Sequence, residues 1–189
     1  MKNLIFLSGT MGVGKTAAGQ ALKRLLPDCA FLDGDWCWDM DPFVVTEETR
    51  RMVVSNAAYL LQSFLSCSVY QNVVFCWVMH EERIADDILS RLRAPMRLFE
   101  YSLICSPEAL TARIQKDVAR GVRTRNVLER SLARLPNYAR MRTVKIDVSA
   151  RSAQDAARLI AAEVLGADCS SAHSPLDGAA QGCKAADRS

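Results

Sequence analysis

Residues Leu4 to Leu22 read LIFLSGTMGVGKTAAGQAL, and no other stretch of the chain restricts the fold as strongly. Leu4-Ile5-Phe6-Leu7 is too short for a helix and does not alternate, which is the pattern of a strand buried on both faces of a parallel sheet. Gly9, Gly12, Gly14, Lys15 and Thr16 then fill G-x-x-x-x-G-K-[ST], and Ala17 to Leu26 continue as a helix-forming segment that stops at Pro27. Strand, glycine loop and helix follow one another in the context this motif requires.

Such a loop suits the charge of a nucleotide polyphosphate. Glycines let the backbone come close and turn its N–H groups inward, and the helix N-terminus behind them adds the positive end of its dipole. The expected cradle is Gly9, Thr10, Met11, Gly12, Val13, Gly14, Lys15, Thr16 and Ala17. Lys15 would reach the β- and γ-phosphates of ATP, and the Thr16 hydroxyl would ligate Mg²⁺.

Downstream, strand and helix alternate to the end of the apolar pattern. Strands are expected at about 3–8, 29–32, 72–79, 98–105 and 143–148, and helices at about 15–26, 47–66, 81–93, 107–119, 127–139 and 153–165. This order implies an α/β fold, a five-stranded parallel sheet with helices on both faces. Ser106-Pro107 supplies a helix start, as do Thr46, Asn126 with Glu129, and Ser152 with Asp155. Gly166 can close the last helix, so residues 1–166 read as one domain and the Ala/Ser/Gly-rich residues 167–189 as a disordered tail, His173 included.

Charge and cysteine usage narrow the class further. The 189 residues carry a net charge of +3, too small to argue for nucleic acid, and contain no run long and apolar enough to span a membrane. Met1-Lys2-Asn3 leads straight into the first strand without a signal-peptide cleavage region, so a cytoplasmic protein is expected; whether it is a monomer or a homodimer the residues leave open. Seven cysteines form no C-x-x-C pair, and Cys29, Cys76 and Cys105 fall in apolar strands where a reduced cysteine acts as a small hydrophobe. Cys37, between Trp36 and Trp38, reads as packing near the site.

The acids and bases are segregated. From Asp28 to Arg50 there are seven acids against one arginine, whereas Arg91 to Lys145 holds thirteen bases against four acids. Beside a phosphate loop, that is the division phosphoryl transfer needs: acids for metal and acceptor, arginines for phosphate. Within the acidic half, the strand Cys29 to Leu32 ends in Asp33-Gly34-Asp35, at the edge where open α/β sheets bind ligands. If this strand is the neighbour of the phosphate-loop strand, both carboxylates face the γ-phosphate. Asp33 then holds Mg²⁺ through water, and Asp35 takes the proton of an attacking hydroxyl. An Asp-Gly turn that only reverses the chain is the competing reading.

GTMGVGKT followed one helix later by FLDGDW resembles the P-loop small-molecule and nucleotide kinases. Gluconate kinases and adenylylsulfate kinases carry a similar D-G-D, and chloramphenicol phosphotransferase and the tunicamycin-resistance protein are similar in layout. Chloramphenicol phosphotransferase has a D-x-x-x-D stretch matched by Asp35 to Asp39, which maps that family's catalytic base onto Asp35. The resemblance covers the layout of about residues 3–165 but rests on two short motifs. It implies a P-loop NTPase fold, with ATP and Mg²⁺ as cofactors and a small molecule as phosphate acceptor.

In such kinases the helix after S-P-E leads into an arginine-bearing lid. Arg113, Lys116, Arg120, Arg123 and Arg125 stand in the comparable place, with Gly121 as hinge. Arg120 and Arg123 are expected to act on the phosphate in flight, and Arg113 and Arg125 to bind the nucleotide. The substrate-binding patterns of gluconate and adenylylsulfate kinases are absent from WCWDMDPFVVTEETRRM, so the acceptor has no name. Trp36, Trp38 and Phe43 read either as an aromatic wall for it or as packing of the loop on the core. The third strand lacks the terminal aspartate of a motor ATPase, His80 beyond it reads as structural, and no N/T-K-x-D motif reads guanine. The expected function is transfer of the ATP γ-phosphate to a hydroxyl or phosphate of a small molecule. A nucleotide-dependent regulatory or binding module with weak ATPase activity is the alternative.

Overall fold

The computed structural model describes residues 1–124 and 126–171. Five parallel strands, β1 (Lys2–Gly9), β2 (Cys29–Asp33), β3 (Asn72–Trp77), β4 (Met96–Ile104) and β5 (Val144–Asp147), lie in the order β2-β3-β1-β4-β5. Among the described residues six α-helices connect and cover them: α1 (Lys15–Leu25), α2 (Glu47–Ser66), α3 (Glu82–Leu89), α4 (Pro107–Ala119), α5 (Val127–Arg140) and α6 (Ala153–Ser171). The expected α/β class, strand number and helix order hold. A 3-10 helix over Gly34–Trp38 was not foreseen, because its residues carry no helical period.

Successive residues of β1 face opposite sides of the sheet and seed two cores. Ile5 and Leu7 pack with Leu22 of α1, Ile114 of α4 and Ile160 of α6. Leu4 and Phe6 pack with Leu61 of α2 and Ile88 of α3 on the other side. All of β1 from Asn3 onward is buried, so the run Leu4–Leu7, apolar on both faces, is what this position demands.

The sheet order corrects one expectation. β2 is not beside β1, because β3 lies between them, with Asp33 in register with Cys76 and Ser8 with Trp77. The carboxyl end of β3 is therefore wedged between the phosphate loop and the Asp33-Gly34-Asp35 turn.

The caps follow the sequence with one exception. Thr46 and Thr49 cap α2 reciprocally, the Ala109 N–H donates to the Ser106 hydroxyl, and Ser152 exchanges bonds with Asp155. Asn126 makes no side-chain cap; its hydrogen-bond partner is instead the Thr124 hydroxyl. At the chain's end α6 runs through Gly166 to Ser171, so that glycine is not a stop. A single glycine costs about 1 kcal/mol in a helix, too little to end a run with Leu165 before it and Ala167 after it. The tail beyond Ser171, with His173, lies outside the described residues.

Candidate functional site

The phosphate loop crosses from β1 to α1 at the carboxyl edge of the sheet. Gly12 and Gly14 have φ of 81° and 107°, values that side-chain-bearing residues rarely adopt. A Cβ on Gly12 would also lie 2.6 Å from Ile114, so that glycine is needed for close packing as well. No side chain caps the N-terminus of α1 and no acid sits in its first turn, which leaves its dipole uncompensated toward the loop. The Lys15 ammonium donates to the Thr10 carbonyl, 3.1 Å away, curling back over the loop. Burial lowers its pKa, with Asp35 and Asp33 opposing that drop. A polyphosphate seated there would supply the missing counter-charge. The Thr10 side chain is committed elsewhere: its hydroxyl donates to Ser131 of α5 and ties loop to helix. Met11 packs on the core and Ala17 is exposed in the first turn of α1.

Across β3 lies the acidic turn. Asp33, 6% exposed, accepts from the Thr16 hydroxyl at 2.7 Å through Oδ2, and its Oδ1 accepts the Asp35 N–H at 3.1 Å. Residue 16, the expected metal ligand, and Asp33, the expected outer carboxylate, are thus in direct contact. Among the described residues no three His, Cys, Asp or Glu side chains gather to hold a metal alone. The donor set suits an ion carried in by phosphate, with Thr16 and Asp33 completing its shell.

β3 contributes what the sequence reading missed. The Cys76 thiol donates to Asp33 Oδ2 at 3.3 Å, and the Trp77 indole N–H donates to Asp35 Oδ1 at 3.1 Å. Cys76 is therefore more than the small hydrophobe expected: burial and the nearby Asp33 push its pKa up and hold it as a neutral donor. Asp35 is exposed to the cleft as a residue, yet its carboxyl is raised above the usual range by desolvation and then by repulsion from Asp33. Lys15, Trp77 and Arg123 pull it the other way. The available clue was position, since Cys76 and Trp77 close the third apolar strand at the sheet edge; only the strand order says which carboxylates they meet.

The arginines divide. Arg123 is half-buried, pairs with Asp117 at 2.9 Å and acts electrostatically on both Lys15 and Asp35. Arg120 caps α4 through its backbone, and its side chain is exposed rather than brought to the loop. Arg125 lies outside the described residues. Gly121, with φ 71° and open space around its Cα, breaks the chain between α4 and this connection. Arg113 sits on the other flank of the loop, donating to the carbonyls of Val13 (3.3 Å), Val148 and Ser149 (3.5 Å). It lines a cavity of about 180 Å³ with Val13, Gly14, Leu103, Val148 and Ala153.

On the acidic flank, Trp38 stacks edge-on against Phe43 (5.2 Å) and Trp77 (6.0 Å). Trp36 and Phe43 nevertheless remain 58% and 60% exposed. Cys37 is buried beneath them, its thiol pushed up to about 11 by burial and the neighbouring aspartates. His80 stands 3.4 Å from Glu81 and makes no contact with the loop or the acidic turn among the bonds described.

A family model described as an AAA domain matches residues 5–134. No curated protein matches the chain by sequence. Among solved structures, a gluconokinase from Sinorhizobium meliloti is similar at a TM-score of 0.65 and 19% identity, covering 90% of this chain and 98% of that one. The tunicamycin resistance protein of Deinococcus radiodurans gives 0.64 and 19%, covering 87% and 96%. Shikimate kinase from Acinetobacter baumannii, in complex with shikimate, gives 0.60 and 21%, covering 88% and 95%. At these identities the likeness establishes the shared fold.

Proposed function

The chain belongs to the AAA domain family, and from that premise we propose that it is a P-loop phosphotransferase, moving the γ-phosphate of MgATP to a hydroxyl or phosphate of a small molecule. The observation that carries the reading is the contact of Thr16 with Asp33 at 2.7 Å, with Asp35 held beside it. A phosphate-loop hydroxyl meets one carboxylate of the acidic turn, and the second stands two residues on. That the solved structures of similar fold include a gluconokinase and a shikimate kinase supports the same reading.

In this reading the nucleotide's base lies in the cavity beside Arg113, and its phosphates run along the loop amides to Lys15. Thr16 and Asp33 are the residues that would hold magnesium, which would supply neutralisation of phosphate charge. The acceptor enters between Asp35 and the exposed faces of Trp36 and Phe43. Its hydroxyl proton passes to the Asp35 carboxylate while its oxygen bonds the γ-phosphorus. The bond from that phosphorus to the β-phosphate oxygen breaks, and ADP leaves. Lys15 and Arg123 stabilise charge on the transferring group, and the short connection around Gly121 closes to exclude water.

ADP release from MgATP, measured against hydroxylated metabolites, nucleosides, nucleotides and antibiotics, tests this. At least one acceptor is expected to raise the rate, and Lys15→Ala to abolish the rise. A panel without any acceptor effect would instead favour a nucleotide-regulated binding module.

A further inference from the structure

We infer that Trp77 is a positioning residue for the reaction, its indole N–H fixing one oxygen of Asp35 so that the other faces the acceptor. This rests on the phosphotransferase reading, and nothing in the sequence motifs assigns it.

The arrangement is built from three neighbouring strands and one turn. β3 separates the phosphate loop from the acidic turn, and its last two residues point to opposite faces. Cys76 therefore belongs to the core under α1 and meets Asp33, while Trp77 belongs to the core under α2 and meets Asp35. Each carboxylate of the Asp33-Gly34-Asp35 turn thus receives a donor from β3.

Asp35 needs such help. Among the bonds described, its carboxylate accepts the indole N–H at Oδ1, while its backbone N–H donates to Asp33. An exposed carboxylate with a free χ1 would otherwise present either oxygen in many orientations, and general base catalysis requires one within about 2.6–3.2 Å of the proton. Trp77 can impose an orientation because it is itself immobile. It is 8% exposed, with Trp38 edge-on at 6.0 Å and Phe75 tilted at 6.3 Å. Gly34 completes the device: a Cβ there would lie 2.3 Å from Trp77 Cγ, so only glycine lets the ring lie close enough for its N–H to reach Asp35. The central glycine of the turn is required by this ring, since its φ is not positive.

The test combines kinetics with the indole resonances of ¹⁵N-tryptophan-labelled protein. Trp77→Phe identifies the Trp77 signal, and Asp35→Ala is expected to move that signal upfield. Trp77→Phe should lower kcat about tenfold, as for losing a hydrogen bond to an ionised group, with KM for ATP within about twofold. An isosteric benzothienylalanine at position 77, which keeps the ring and lacks the N–H, should lose the same factor. In an Asp35→Ala background, Trp77→Phe should cost nothing more. A Trp77 signal unmoved by Asp35→Ala, parental kcat with the isostere, or the full further loss in the Asp35→Ala background each overturns the inference. Failure of the underlying reading is seen separately, in a parent protein whose ADP release responds to no acceptor.

Discussion

Gly34→Ala sets two effects of opposite sign against each other. Gly34 lies in a 3-10 helix without positive φ, so alanine fits the backbone, and its smaller unfolded-state entropy alone would stabilise the fold by about 0.4–1 kcal/mol. Against that, the added Cβ would stand 2.3 Å from Cγ, 2.6 Å from Cδ1 and 2.7 Å from Cβ of Trp77. Carbon atoms pack at about 3.5–4.0 Å, so ring and turn must separate by more than ~1 Å. The ring root cannot swing away like a flexible chain end, because the indole is buried against Trp38 and Phe75. Overpacking of this kind costs about 1–3 kcal/mol, which outweighs the entropic gain. The net cost is then at most about 2.6 kcal/mol, and at about 2–4 °C per kcal/mol for a chain of this size the midpoint by circular dichroism should fall by up to roughly 10 °C. Acceptor-dependent turnover should fall with it, since the Trp77–Asp35 bond cannot survive the separation. In a Trp77→Ala background, where the clash is gone, the same substitution should be neutral or stabilising. A parental or higher midpoint for Gly34→Ala alone, with full turnover, would refute the reasoning.

Other expectations are as direct. Lys15→Ala should reduce turnover by at least about 10²–10³-fold, the scale of losing one preorganised charge stabiliser, while the melting curve of the nucleotide-free protein changes little; full turnover would remove the phosphate assignment. Arg113→Ala should raise KM for ATP more than it lowers kcat, and Arg123→Ala should do the reverse, because one flanks the cavity beside the loop and the other acts on Lys15 and Asp35. Steady-state kinetics with ATP varied separates the two. The Asp35 pKa is raised, first by desolvation and then by Asp33, so the base is lost to protonation at a higher pH than an ordinary aspartate of about 3.9. The acidic limb of kcat/KM should therefore lie above that value, and a profile flat to below pH 4 would contradict the role.

Much of this was legible in local spacing. The strand–loop–helix over residues 2–25, the helix starts at Thr46, Ser106 and Ser152, and the alternation that gives a parallel sheet all follow from neighbours within about four residues, the range over which caps, turns and periodicity act. The same local signals put Lys15 and Thr16 at the start of α1 and Asp33 at the end of β2, with Asp35 two residues beyond it. Where local evidence was weak the reading slipped: Asn126 did not cap, and Gly166 did not end α6.

What the sequence alone determined is the chemistry on offer: a glycine cradle with one lysine and one hydroxyl, two carboxylates a residue apart, and a run of arginines. Which groups meet was settled only by the sheet order. Inserting β3 between β1 and β2 brought Cys76 to Asp33 and Trp77 to Asp35, contacts that span 43 and 42 residues of chain. Such pairings are fixed by how two faces of a sheet bury their apolar residues at once, a condition of the whole chain that no segment carries by itself.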